Sequence, residues 1–145
     1  MKKFMLVLIA STCFTAFAMN ASAQQTDQAT ADAVIAMTKA QWAAEIKDPT
    51  SVAEQMKDAS DDYTEFNGDY TTRLDGKAMN SRVAEAAGKA SGKTIAADMA
   101  NPKVQVYGNV AILTYNYVGV TQDKDGKNEP ARAKSTRVFV KKGDK

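Results

Sequence analysis

From residue 31 the apolar positions of the chain recur at helical spacing. Ala31, Ile35, Thr38, Trp42 and Ile46 step by 4, 3, 4 and 4, which places them on one helix face. Val34 and Ala43 widen the stripe, and the Ala-rich composition favours the same conformation. Pro49 disfavours helical geometry in the residue before it, so the helix stops near Asp48. A second helix follows at once. Either Asp48 caps it with Pro49 at the first helical position, or Ser51-Val52-Ala53-Glu54 forms a capping box. Its apolar stripe of Val52, Met56 and Ala59 is narrow. Residues 61–67 alternate and are rich in Tyr, Thr and Phe, which predicts a strand. Tyr63, Glu65 and Asn67 share one face of it, and Asp62, Thr64 and Phe66 the other. Residues 68–76 form a polar connection ending in the turn signal Asp75-Gly76. Residues 78–90 predict a third helix, capped by Asn80 or Ser81, before a break at Ser91-Gly92.

From Thr94 the period changes to two. Residues 94–99 predict a short strand, interrupted at Asn101-Pro102, and residues 103–107 another. Gly108-Asn109 is a hairpin turn. Residues 110–121 carry the strongest strand pattern of the chain. Ala111, Leu113, Tyr115 and Tyr117 share one face of it; Val110, Ile112 and Val118 share the other. Residues 123–130 predict an exposed loop, residues 133–142 a last strand, and Gly143-Asp144-Lys145 a turn. Helices first, one early strand, a helix, then antiparallel long strands is an α+β order.

The first 23 residues follow a different pattern. Lys2 and Lys3 precede an uncharged, mostly apolar run over 4–18, and Ala21-Ser22-Ala23 is a small-x-small cleavage site. A run of about 15 residues falls short of the roughly 20 a spanning helix needs. Thr12 and Ala10 before Cys13 do not fit a lipid-attachment signal. The expected organisation is a cleavable secretory signal peptide over 1–23, a flexible mature N-terminus over 24–30 and a single domain over 31–145. The expected location is the periplasm or the outside of a bacterium, with no stable membrane anchor after cleavage.

Cleavage changes the charge arithmetic. The 145 residues hold 19 basic and 17 acidic side chains, a formal +2. All 17 acids but only 17 of the 19 bases follow residue 23, so the mature chain is neutral. Nothing in its charge points to nucleic acid or an anionic membrane. The single Cys leaves with the signal, which removes disulfides and thiol nucleophiles. The absence of His excludes Ser-His-Asp and Cys-His catalysis and His-ligated zinc. Residues 123–129 fall short of a calcium loop, because Gly126 comes too early and Lys134 stands where the twelfth-position Glu belongs. No phosphate loop or dinucleotide fingerprint is present either. No metal and no cofactor is therefore expected.

Several short motifs occur in a recognisable order. They are Trp42 in a helix; Ala59-Ser60-Asp61-Asp62-Tyr63 leading into a strand; Asp75-Gly76-Lys77 before a helix; Val106-Tyr107-Gly108-Asn109-Val110-Ala111 leading into a long strand; and Arg137-Val138-Phe139-Val140-Lys141-Lys142-Gly143-Asp144. Over residues 29–145 the chain resembles the SnoaL-like branch of the nuclear-transport-factor-2-like superfamily. That resemblance implies a curved antiparallel sheet wrapped around N-terminal helices into a cone, frequently a homodimer through the sheet's outer face, and often a pocket in the cone. Members usually continue after the Gly-Asp turn into a Trp-containing final strand. The expectation for this chain is a domain lacking that strand, with an exposed sheet edge.

Family enzymes of the isomerase and dehydratase type move protons with pocket Asp, Tyr and His residues. Asp62 or Glu65 would serve as a base here only if burial raised its pKa; in water each is an ordinary strand carboxylate. Tyr63, Tyr115 and Tyr117 are candidates to line a pocket and donate O–H groups to a ligand, and otherwise pack at the core edge or a dimer interface. Arg137 is a candidate clamp for an anionic group, and otherwise a salt-bridge partner. Trp42 is a core anchor or a stacking platform. The leading expectation is an exported, non-catalytic domain that binds a small, mostly apolar ligand or a protein partner. Its rivals are a His-less isomerase or dehydratase using a strand carboxylate with a Tyr, and a structural dimerisation module.

Overall fold

In a computed structural model, residues 16–143 are described, apart from 69 and 91. Helix α1 spans Ala16–Lys47, α2 Val52–Gln55 and α3 Lys77–Ala90. Strands β1 (Thr64–Glu65) and β2 (Leu74–Asp75) form a small ribbon. Strands β3 (Lys93–Tyr107), β4 (Val110–Gln122) and β5 (Asn128–Val140) form an antiparallel sheet in the order β3-β4-β5. The architecture is α+β, as the order of elements predicts. Lys2, Lys3, Cys13 and most of the apolar run over 4–18 lie outside the described residues, as do Asp144 and Lys145 of the final turn.

The inner face of the sheet packs on α1. Val34, Trp42, Met99, Ala111, Leu113 and Tyr115 form the buried cluster, and Leu113 has no exposed surface. Burying a leucine this fully is worth roughly 1.5–3 kcal/mol. Thr38, between Val34 and Trp42 on the same face, is buried with its hydroxyl donating to the Val34 carbonyl oxygen at 2.9 Å. That bond satisfies the polar atom within its own helix.

Several boundaries differ from expectation. Residues 24–30 are helical rather than frayed. They contain no Gly or Pro, are rich in good helix formers, and extend a helix already nucleated by packing. The strand expected over 61–67 shortens to β1. A turn from Ser60 to Tyr63 precedes it, and its partner is the two-residue β2, inside a stretch read as plain connection. Asn80 does not cap α3. It lies buried in the first turn, its Nδ2 donating to the Gly76 carbonyl at 2.9 Å. Neither cap proposed before α2 forms: the helix starts at Val52, leaving Pro49 outside it, and Asp48 instead closes the preceding turn. Its Oδ1 accepts from the backbone N–H of Thr50 at 2.9 Å and from the Thr50 hydroxyl at 2.7 Å. Ser51 makes no side-chain capping bond.

The two strands expected on either side of Asn101-Pro102 are one strand, β3. Its register with β4 shifts between Ala100 and Lys103, and Asn101 has φ 52°. The strand absorbs the proline, which has no N–H to give the ladder, as a bulge. The loop expected over 123–130 tightens to a turn. Asp123 Oδ1 accepts the N–H groups of Asp125 and Lys127 at 2.9 and 2.8 Å, so pairing resumes at Asn128.

Candidate functional site

Alternation along β4 and β5 sends Leu113, Tyr115, Tyr117, Arg137 and Phe139 to the helix-facing side of the sheet. An arginine there is unexpected, because Arg137 pairs with the fully buried Leu113. A charge on a buried face needs partners, and the inner face supplies them. Arg137 Nε donates to the Tyr115 hydroxyl at 3.0 Å. Arg137 Nη1 donates to Oε1 of Gln41, on α1. The guanidinium lies 5.8 Å from the centre of the Trp42 ring, in cation–π range.

Trp42 is the centre of the arrangement. Its ring meets Tyr115 edge-on at 5.6 Å and Tyr117 edge-on at 5.3 Å. These geometries match the preferred quadrupole alignment of aromatic pairs. Tyr63 approaches from the β1 side. Its hydroxyl donates to Glu65 Oε2 at 3.4 Å, and Asn67 Nδ2 donates to Glu65 Oε1 at 3.2 Å. Burial, then the Glu65 carboxylate, push the Tyr63 hydroxyl above its usual pKa range, while the nearby Arg137 charge pulls the other way. Beyond Tyr117, the Thr94 hydroxyl donates to Glu45 Oε1 at 2.8 Å. Tyr117 is likewise raised, by burial first and then by Glu45.

The fold therefore gathers Trp42, Tyr63, Tyr115, Tyr117 and Arg137 into one cluster between α1 and the sheet, with Glu65 at its edge. Asp62 is not part of it. It is exposed, and the Ser60 hydroxyl, its own backbone N–H and Lys142 hold its carboxyl below the usual range. That is the wrong direction for a base working near neutral pH. The sequence reading missed Gln41, Glu45 and Thr94. Gln41 stands beside Trp42 at the rim of the apolar helix stripe, which is the signal that would have found it. Thr94 and Glu45 are 49 residues apart and meet only through the fold.

A shallow groove of ≈ 320 Å³ is lined by Asn101, Thr114, Tyr115, Asn116, Lys134, Ser135 and Thr136. Thr114, Asn116, Lys134 and Thr136 belong to the outer side of the sheet by strand alternation. The groove therefore opens mainly on the outer side and meets the aromatic cluster at Tyr115.

Comparison with known proteins places this geometry. The structure is similar to a nuclear-transport-factor-2-like protein of unknown function from Pseudomonas putida KT2440, with 13% identity, a TM-score of 0.67 and coverage of 81% of this chain and 80% of that one. It is also similar to the association domain of C. elegans calcium/calmodulin-dependent protein kinase II, with 16% identity, a TM-score of 0.63 and coverage of 81% and 88%. At these identities the likeness establishes the fold, in agreement with the superfamily resemblance read from the motifs. No curated protein matches the sequence. The sequence profile of the calcium/calmodulin-dependent protein kinase II association domain matches residues 30–145, most of the chain. With that match and the helix-on-curved-sheet fold, the chain belongs to the calcium/calmodulin-dependent protein kinase II association-domain family.

Proposed function

We propose that this protein is an exported, non-catalytic domain that binds a small, mostly apolar ligand at the aromatic cluster, with an anionic group of that ligand held by Arg137. The observation that carries the reading is Arg137 itself. It is half-buried, oriented by Tyr115 and Gln41 over Trp42, and among the described residues no ion pair neutralises it. A guanidinium held this way has donors to spare for a carboxylate. The rings of Trp42, Tyr63, Tyr115 and Tyr117 offer the apolar contact. The enzyme reading loses Asp62 to solvent, and the remaining Glu65 is engaged by Tyr63 and Asn67. Export rests on the basic pair, apolar run and Ala-x-Ala end of the first 23 residues.

Trp42 is the sole tryptophan, so its fluorescence reports on the site directly. Titration with hexanoate should give a saturable change, and hexanol a weaker one. Arg137→Gln should weaken hexanoate binding by about tenfold or more, the equivalent of one charge-assisted hydrogen bond. No response to hexanoate, or equal affinity in Arg137→Gln, would overturn the reading.

A second reading concerns self-association. The outer face of the sheet carries Tyr107, Val138 and Val140, each more than half exposed, around Val110 and Ile112. An apolar patch of this kind fits a homodimer through the sheet. Membership in a family named for association supports it.

A further inference from the structure

Gly119 lies on the inner face of β4, opposite Ala97 of β3 and Ala131 of β5. Tyr117, two residues earlier, faces the same side. Its ring does not stand up from the sheet. A Cβ placed on Gly119 would lie 2.6 Å from the Tyr117 hydroxyl oxygen and 2.9 Å from the ring carbon that carries it. It would also lie 2.7 Å from the Ala96 carbonyl oxygen. Real Cβ atoms essentially never come so close. Tyr117 therefore lies along the strand, across space that a side chain at 119 would fill.

Two contacts hold the ring down. One is the edge contact with Trp42 at 5.3 Å. The other is Thr94, whose hydroxyl donates to Glu45 and stands within hydrogen-bonding reach of the Tyr117 hydroxyl. The cluster is thus asymmetric about Trp42. On one side are Arg137, Tyr115 and Gln41, with Tyr63 nearby. On the other the Tyr117 ring covers the sheet, backed by the Glu45 carboxylate, which disfavours a second anion.

We propose that Gly119 is a specificity-determining position: by having no side chain it lets Tyr117 lie flat and close the Thr94 end of the inner face, which limits the length of the apolar body a ligand anchored at Arg137 can carry. The inference rests on the binding reading above and deepens it. On this proposal a short carboxylate lies between Arg137 and the Tyr117 ring, over Trp42. A long one meets the ring. Removing the ring opens the floor over Ala97, Gly119 and Ala131 to further methylenes.

The test uses two straight-chain acids, butanoate and decanoate, read by Trp42 fluorescence or calorimetry on the full chain. The wild-type protein should prefer butanoate or bind the two equally. Tyr117→Ala should move the preference toward decanoate by about tenfold or more, because each buried methylene adds affinity. Binding of both acids with an unchanged preference in Tyr117→Ala would overturn the length limit and leave the binding reading standing. Binding of neither acid by the wild-type protein would overturn both.

A second arm needs no ligand. Gly119→Ala should raise acrylamide quenching of Trp42 toward the level of Tyr117→Ala, as the displaced ring uncovers the indole. Gly119→Ala placed on Tyr117→Ala should add nothing further. Strict additivity of the two changes would show that Gly119 matters only through the Ala96 carbonyl, and would overturn the proposal. Should Gly119→Ala fail to fold, Tyr117→Ala and Tyr117→Phe still decide it. The phenylalanine keeps the ring and should keep the wild-type acid preference; loss of that preference in Tyr117→Phe would also overturn the proposal.

Discussion

Tyr63 and Tyr117 show how burial and charge act on single side chains. Both hydroxyls are raised above the usual 10.0, first by burial and then by a carboxylate, Glu65 for one and Glu45 for the other. The unfolded chain releases these protons near pH 10.0, and the folded chain holds them to higher pH. Above that point the folded state binds more protons than the unfolded state, so stability falls as pH rises. Their contribution is complete below pH 10.0 and is lost as pH passes through the raised folded values. Urea midpoints measured across this range should bend downward above pH 10, and Tyr63→Phe with Tyr117→Phe should flatten the bend. An identical alkaline slope in the double variant would show that other groups govern it. Most of this residue-scale picture was legible beforehand. Trp42 follows from helical spacing, and the shared face of Tyr115 and Tyr117 from strand alternation; the inward face of Arg137 does not. Their convergence on one another was not legible, because it depends on how α1 crosses the sheet.

Elements here are decided by a few backbone positions. The β3–β4 hairpin turns at Gly108, which has φ +61° and open space where a Cβ would stand. Gly108→Ala therefore acts through the backbone alone, and should cost about 1–2 kcal/mol, the penalty of a left-handed L-residue. Gly68 is the internal control. It also faces open space and has no such φ, so Gly68→Ala should be neutral or stabilise by about 0.4–1 kcal/mol through the unfolded chain. Equal destabilisation by the two changes, measured by urea unfolding, would count against this account. The hairpin was readable from Gly-Asn between two alternating runs. The shortening of the early strand to Thr64–Glu65 was not, since the ribbon's length is set by its partner, Leu74–Asp75.

On the scale of the molecule, α1 covers one face of the sheet and leaves the other open. Cross-strand register brings Tyr107, Val110 and Val140 into one row of the outer face and Ile112 and Val138 into the next. A second copy docking there would bury these side chains together. Val138→Glu should then shift sedimentation from dimer to monomer at micromolar concentration, while leaving the Arg137 cluster and its fluorescence unchanged. Val138 is 64% exposed in the single chain, so the substitution should cost the monomer little. A wild-type protein that sediments as a monomer would sink the sheet-face dimer.

Periodicity alone determined the α+β class, the helix bearing Trp42, the long central strand and which of its side chains share a face, because both 3.6-residue and two-residue repeats are local properties of the backbone. Composition determined that a His-less chain must do without imidazole chemistry. Tertiary structure decided the rest. It placed an arginine on a buried face and gave it Tyr115, Gln41 and Trp42 as partners. It sent Asp62 to solvent and laid Tyr117 over Gly119. The contacts of Arg137 join residues distant in the chain, and pairing register and helix placement, rather than local pattern, decide which distant residues meet.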